Sequence, residues 1–326
     1  MLIFISNNTG VIILNKAKYI SGRECMMNFW KMEGTGNDFI IIDYLNNTVQ
    51  NPISDYHNAA RKICDRHFGI GGDGLLLVLP PSDRKNDFKM RIFNADGSEA
   101  EMCGNGIRCF THYLSQKKLS STKKINVETK AGLIRPKLIK KEKNYALIKV
   151  NMGKPVFSPE KIPVNLEGFS QNKVTDYPLI IKPENKQYNI NCISMGNPHT
   201  VIFKEEVDNI NLKKWGPKIE QMDIFPQNTN VEFVQVINRQ EIKMRVWERG
   251  SGITLACGTG ACAAVVAGIN KKLLANNVKV QLPGGNLFIE WKRQKDSPVQ
   301  MTGPSHIVFK GSFNKDYLLQ NDINIK

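Results

Sequence analysis

The chain has 326 residues, 41% of them hydrophobic and 23% charged, with a net charge of +15 and seven cysteines. That length accommodates two domains with separate cores, and the composition is ordinary for a globular protein. An odd cysteine count without a regular framework argues against a secreted disulfide scaffold and for a reducing interior, and no stretch reaches the length of a transmembrane helix. The positive charge raises nucleic-acid binding as one class of function. The Lys residues are scattered, however, and neither zinc-finger spacing nor an RNA-binding aromatic signature accompanies them. The richness in Asn, Ile and Lys is that of a compositionally skewed genome, so neither a nucleic-acid nor a membrane partner is expected.

Residues 1–26 carry short apolar runs broken by Asn and Lys, too interrupted for a secretory signal. They read as an extension ahead of a natural start at Met26 or Met27. Strands are then expected at Asn28–Met32 and Phe39–Asp43 around a loop Glu33–Asp38, followed by a helix over 55–65 and a buried strand Leu75–Leu79. Met90–Phe93 is a strand, and a helix runs from Cys103 to near Lys118. Ile125–Thr129, Leu133–Ile139 and Ala146–Asn151 are further strands, with a charged tip at 140–144. Gly and Pro cluster near 151–155, where the pattern restarts. Ile190–Ser194 and Thr200–Phe203 are strands around a turn at Met195–His199, and Leu212–Glu220 is a helix. Strands over 229–236 and 242–249 lead to a second Cys-headed helix, a hairpin of Val278–Leu282 with Leu287–Trp291, and a final strand Ile307–Lys310.

The chain writes one pattern twice. Residues 101–109 read EMCGNGIRC and residues 255–262 read LACGTGAC. In each copy a Cys stands where a glycine turn opens a helix, so Cys103 and Cys257 lie at helix mouths. The free N–H groups and the dipole there favour negative charge and lower a thiol pKa. A lone Cys in such a place is more often a small core residue. Two copies of Cys-Gly-X-Gly favour a function, because packing alone does not ask for both glycines twice. Cys109 and Cys262 lie deeper and read as core. Zinc fails on spacing, and no metal site is expected, because no Cys-x2-Cys pair is present. The loop 69–74 lacks the register of a nucleotide-binding motif. Taken alone, His199 in its turn and Glu248 at a strand end read as surface residues. The expected architecture is α+β: two pseudo-symmetric halves, each a curved, mostly antiparallel sheet wrapped on a central helix, with the site in the cleft between them. The halves are 27–151, completed by 303–316, and 152–302, with a tail at 317–326.

Six segments carry a resemblance: GTGNDF (34–39), FNADGS (93–98), MCGNG (102–106), SMGNPH (194–199), ERG (248–250) and ACGTG (256–260). In this order, from about Met27 to Gly311, they resemble the diaminopimelate epimerases. The resemblance implies a cofactor-independent isomerase that interconverts LL- and meso-2,6-diaminopimelate in lysine and peptidoglycan precursor synthesis, as a cytoplasmic homodimer. It makes Cys103 and Cys257 the two catalytic bases and gives His199 and Glu248 the tuning of their pKa values. Asn37, Asn94, Asn197, Asn230, Glu248 and Arg249 would hold substrate, with the N–H groups of Gly104, Asn105, Gly258 and Thr259 on the α-carboxylate. Arg249 suits a bidentate grip on the distal carboxylate. Gly74 stands where the family often has Gln, leaving only backbone for a contact there. Phe309 matches a dimer-contact aromatic. Proline-racemase-like enzymes share the two-Cys design, but there His follows the first Cys-Gly, where this chain has Asn105. A thiol hydrolase would need only one of the two Cys.

Overall fold

The computed structural model describes residues 6–7, 10–11, 26–45, 53–120, 124–167, 170–294 and 296–319. The expected extension and the end of the expected tail lie almost wholly outside the described residues. Of the first 25 residues, only a short antiparallel pair is described, β1 (Ser6–Asn7) with β2 (Gly10–Val11).

The first half runs β3 (Met26–Gly34), β4 (Asn37–Asp43), α1 (Tyr56–Cys64), β5 (Gly74–Leu79), β6 (Phe88–Asn94), β7 (Glu99–Ala100), α2 (Gly104–Gln116), β8 (Val127–Thr129) and β9 (Gly132–Ile134), then β10 (Lys137–Lys141) and β11 (Tyr145–Asn151). After β12 (Tyr177–Ile181) the same order returns: β13 (Lys186–Ser194), β14 (Pro198–Phe203), α3 (Leu212–Glu220), β15 (Asn230–Asn238), β16 (Glu241–Glu248), β17 (Gly252–Ile253), α4 (Gly258–Asn270), β18 (Asn277–Leu282) and β19 (Gly285–Glu290). The long β20 (Gln300–Asn314) and a short α5 (Asp316–Leu319) follow. The repetition extends to strand direction. β4 and β5 are parallel across α1, as β14 and β15 are across α3. β6 and β8 are parallel across α2, as β16 and β18 are across α4. The other named pairs are antiparallel, which makes a two-domain α+β fold.

Two layers of helix cover the sheet, where a single central helix per half was expected. Leu76 and Val78 of β5 face the core that holds α2, whereas Leu75 and Leu77 face the one that holds Ala59, Ala60 and Ile63 of α1. A strand buried on both faces is apolar throughout, which accounts for the unbroken run at 75–79. In the second half α3 takes the outer position over Ile202, Val231 and Phe233. The inner helices are buried nearly all round, and α4 achieves this with Ala261, Cys262, Ala263, Ala264, Val265 and Val266. One core cluster holds residues of both α2 and α4, so the two halves share it.

Several expected boundaries move. The loop 33–38 shrinks to Thr35 and Gly36, whose φ angles of 58° and 81° form a two-residue hairpin turn. The expected strand 133–139 divides into β9 and β10 around Arg135–Pro136, because Pro136 has no N–H to offer a ladder. Pro198 and His199 belong to β14 and not to a turn. β12 was not expected at all. The largest change is in β20, which spans 15 residues where four were expected. Gly303 and Pro304 read as breakers in sequence, yet here they pair with Ile148 and Leu147 of β11. The same strand pairs with β19 and then, from His306 onward, with β3, a pairing interrupted by a register shift between Ile307 and Phe309. It joins the sheets of the two halves into one.

Gly216 tests the packing of α3. Replacing a helical Gly with Ala ordinarily stabilises by about 1 kcal/mol. Here an added Cβ would sit 2.4 Å from the Trp247 ring. Gly216→Ala is therefore expected to destabilise the protein by about 1–3 kcal/mol, read as a lower urea midpoint with unchanged slope.

Candidate active site

Each inner helix begins with a thiol as its N-cap. Cys103 is extended (φ −136°, ψ 122°) and its sulfur accepts from Gly106 N–H at 3.4 Å. Cys257 repeats this (φ −121°, ψ 112°), accepting from Gly260 N–H at 3.4 Å. An N-cap acceptor satisfies one of the donors that a helix leaves free, and a sulfur there stands at the positive end of the dipole.

The glycines after each Cys are helical residues, not a left-handed turn, and packing does account for them. A Cβ on Gly104 would lie 2.9 Å from Met301 Cε, and one on Gly258 would lie 3.1 Å from Met301 Sδ. Both helix mouths thus close on one methionine of β20. A Cβ on Gly106 would press on Ile92, while one on Gly260 would lie 2.6 Å from a carboxylate oxygen of Glu232. Packing therefore does specify both glycines in each copy, contrary to the expectation from the sequence.

Around the first thiol, Cys103 donates to Asn37 Oδ1 at 3.7 Å, and Asn105 Nδ2 reaches the same oxygen at 3.3 Å. Asn37 Nδ2 donates to Asp73 at 2.8 Å, which fixes the amide's orientation. Gly74 pairs with Phe39 on one side and Asn94 on the other. It is close-packed there, since a Cβ would meet Phe93 O at 2.8 Å. Asn94 is exposed and donates to Ser98 Oγ at 2.9 Å.

Around the second thiol, Cys257 Sγ lies 3.5 Å from Thr259 Oγ1, and Asn197 Nδ2 donates to that hydroxyl at 3.4 Å. His199 is fully buried, not superficial, with Nε2 2.9 Å from Asn197 Oδ1 and Nδ1 2.7 Å from Glu232. Asn230 donates to Pro198 O at 2.7 Å and accepts from Arg249 N at 3.0 Å. The Arg249 guanidinium donates to Gln227 O at 3.0 Å. Glu248 accepts from the Thr254 hydroxyl, and its charge raises the pKa of both Cys103 and Cys257. Phe309 stands apart, exposed on β20 with its ring edge-on to Phe29.

Removal from water governs both thiols, although Cys257 is buried and Cys103 only half-buried. It pushes Cys103 up against the pull of the Gly106 and Asn105 N–H groups. It pushes Cys257 well up, with the charge of Glu248 adding to it, that of Glu232 adding only when its carboxyl is ionised, and Thr259 and Gly260 opposing. The helix mouths do act in the expected direction, but removal from water outweighs them.

Three residues that support the site went unnoticed in the sequence. Arg108 is fully buried one turn into α2, where it donates to Pro304 O at 3.0 Å, to Gly104 O at 3.2 Å and to the Thr35 hydroxyl. It ties the first helix mouth to β20 and to the 35–36 turn. Glu220 accepts from Trp247 Nε1 at 2.6 Å and Gly250 N at 2.9 Å, which holds the turn after Arg249. Glu232 lies behind His199. For Arg108 the signal was a charge at an inward-facing position of a buried helix. For the two carboxylates the sequence offered none.

The diaminopimelate epimerase family model matches residues 29–158 and 191–308. The chain belongs to the diaminopimelate epimerase family. Relatives named diaminopimelate epimerase include that of Halothermothrix orenii, 56% identical over 285 residues (87% of this chain, 97% of that one). Those of Carboxydothermus hydrogenoformans (48% identical over 289 residues; 88% and 99% covered) and Acetivibrio thermocellus (45% over 292 residues; 90% and 100%) are also similar. Among solved structures, a PhzF-family phenazine biosynthesis protein from Bacillus anthracis shares the fold with a TM-score of 0.62 at 16% identity, covering 88% of this chain and 99% of that one. A hydroxyproline epimerase from Agrobacterium vitis does so with a TM-score of 0.62 at 13% identity, covering 88% and 92%. In this family member, iodoacetamide is expected to alkylate Cys103 and Cys257 slowly at neutral pH and ever faster through the alkaline range. A rate that levels off below pH 7 would show that the helix mouths, and not burial, set the resting thiols.

Proposed function

We propose that this protein interconverts LL- and meso-2,6-diaminopimelate by proton transfer at Cα, with Cys103 and Cys257 as the two bases. Family membership supports the reaction. The observation that carries the residue assignment is the pair of thiols capping two helices whose mouths close on Met301. One thiol, as thiolate, takes the Cα proton from one face, and the other thiol delivers a proton to the opposite face. The direction of reaction decides which acts first.

The buried setting has a chemical use. An amino-acid Cα–H is very weakly acidic, so the base must be strong, and a thiol pushed up in pKa gives a thiolate of greater basicity. The cost is a small ionised fraction in the resting protein. The carbanion is stabilised by fixed donors in a dry site. The N–H groups of Gly104 and Asn105, and of Gly258 and Thr259, are assigned to the α-carboxylate. Asn37, Asn94, Asn197, Asn230 and the backbone at Gly74 position the rest of the substrate, and Arg249 takes the distal carboxylate. Glu248 and His199 tune the thiols.

The site lies between the halves 27–151 (with 303–316) and 152–302, and the reaction needs no pyridoxal group. We assign the protein to the cytoplasm, as a homodimer whose contact includes Phe309, where it would supply lysine and peptidoglycan precursor synthesis. Among the described residues no helix is long and apolar enough to cross a membrane. The test is LL-diaminopimelate in D2O under reducing conditions without pyridoxal phosphate. The expected product is the meso form with one deuterium at the inverted centre, formed about 10²–10⁴-fold more slowly by Cys103→Ala and by Cys257→Ala. No deuterium incorporation by the unmodified protein would reject the reaction.

A further inference from the structure

The two thiols have different neighbours. Cys103 donates to an amide oxygen, whereas Cys257 faces the hydroxyl of Thr259. Behind Thr259 runs a line of contacts: Thr259 Oγ1 to Asn197 Nδ2 (3.4 Å), Asn197 Oδ1 to His199 Nε2 (2.9 Å) and His199 Nδ1 to Glu232 Oε1 (2.7 Å). Glu232 and His199 are both fully buried, on adjacent parallel strands.

The polarity of this line follows from donor and acceptor chemistry. Asn197 presents its carbonyl oxygen to the imidazole, so Nε2 carries a hydrogen. Its NH2 donates to Thr259, which leaves the threonine hydroxyl proton free to point at the sulfur. We propose that Glu232 is a positioning residue that shares a retained proton with His199, keeping Nε2 a donor and so aiming the Thr259 hydroxyl at Cys257, where it supports the thiolate. The assignment of Cys257 as a base is the proposed function on which this rests.

Two observations converge on the retained proton. The second carboxylate oxygen of Glu232 is buried with no partner among the described residues, a costly place for a full negative charge. Burial raises the pKa of Glu232, with His199 opposing. Gly260 leaves room for this carboxyl group against the helix mouth. If the pair lost its proton, a bare carboxylate would hold the hydrogen on Nδ1, and Nε2 would become an acceptor. Asn197 would then turn over, and Thr259 would donate away from the sulfur. The other titratable groups that feel or influence this pair are Glu248 on β16, Cys192 on β13 and Cys257 itself. Glu248 adds negative charge, which favours retention of the proton.

The experiment reads the relay without substrate, so its failure is distinguishable from failure of the epimerase reading. Alkylation of Cys103 and Cys257 is followed separately by peptide mass spectrometry from pH 6 to 10. Glu232→Leu is expected to slow Cys257 alkylation by about tenfold, equivalent to one unit of thiol pKa, and to leave Cys103 unchanged. Glu232→Gln, which can donate to Nδ1 as a protonated Glu does, is expected to restore most of that loss. Equal effects of Leu and Gln, or equal effects on the two thiols, would overturn the proposal. Should Glu232→Leu fail to fold, 15N-histidine spectra of the unmodified protein decide: an Nε2 carrying hydrogen between pH 6 and 8 supports the relay, and a bare Nε2 refutes it.

Discussion

The site depends on a sulfur standing where a helix needs an acceptor. Cys103 and Cys257 each satisfy a backbone N–H at the head of a buried helix, so each reactive group is also part of its helix's own termination. The thiol is thereby fixed in position before any ligand arrives, held by a backbone donor together with the side chain of Asn37 or Thr259. The glycines that follow are the condition for this arrangement. They let both helix mouths approach Met301, and at Gly260 they admit a carboxyl group against the helix.

Repetition supplies the geometry, and departures from repetition supply the chemistry. The halves share strand order, strand direction and the thiol cap, which presents two equivalent groups to one place. They differ in what lies behind each sulfur. Behind Cys103 is an Asn37 amide anchored to Asp73, and behind Cys257 is a line ending in a buried His–Glu pair. The two-base reaction proposed above would use both thiols, and the unlike supports make the two surroundings distinct.

Much of this was legible in the sequence. The helix around Leu212–Glu220 lies where it was expected, and the Asn211 side chain caps it. The Cys-Gly-X-Gly copies gave the two caps because that signal is local. What the sequence withheld was long-range. His199 read as a turn residue because it follows Pro198, yet the carboxyl group that buries it with a partner comes from a strand 33 residues on. β20 read as four residues because Gly303 and Pro304 are local breakers, and only the flanking strands reveal that the ladder continues through them. The thiol pKa direction reversed for the same kind of reason, since a cap is visible in a motif and the loss of water around it is not.

β20 has a further consequence, in the order of assembly. It is the last long element among the described residues, yet it pairs with β3 at the start of the described sheet and with β11. Arg108 in the first inner helix is anchored on its Pro304 carbonyl. The N-terminal half therefore cannot finish its own sheet, nor seat its buried arginine, until residues 300–314 have left the ribosome. Closing so many non-local contacts at the end makes for slow folding with a high contact order. Until that closure the first half stands with an open sheet edge and a buried charge short of its acceptors, so the first thiol gains its full setting only when β20 is in place.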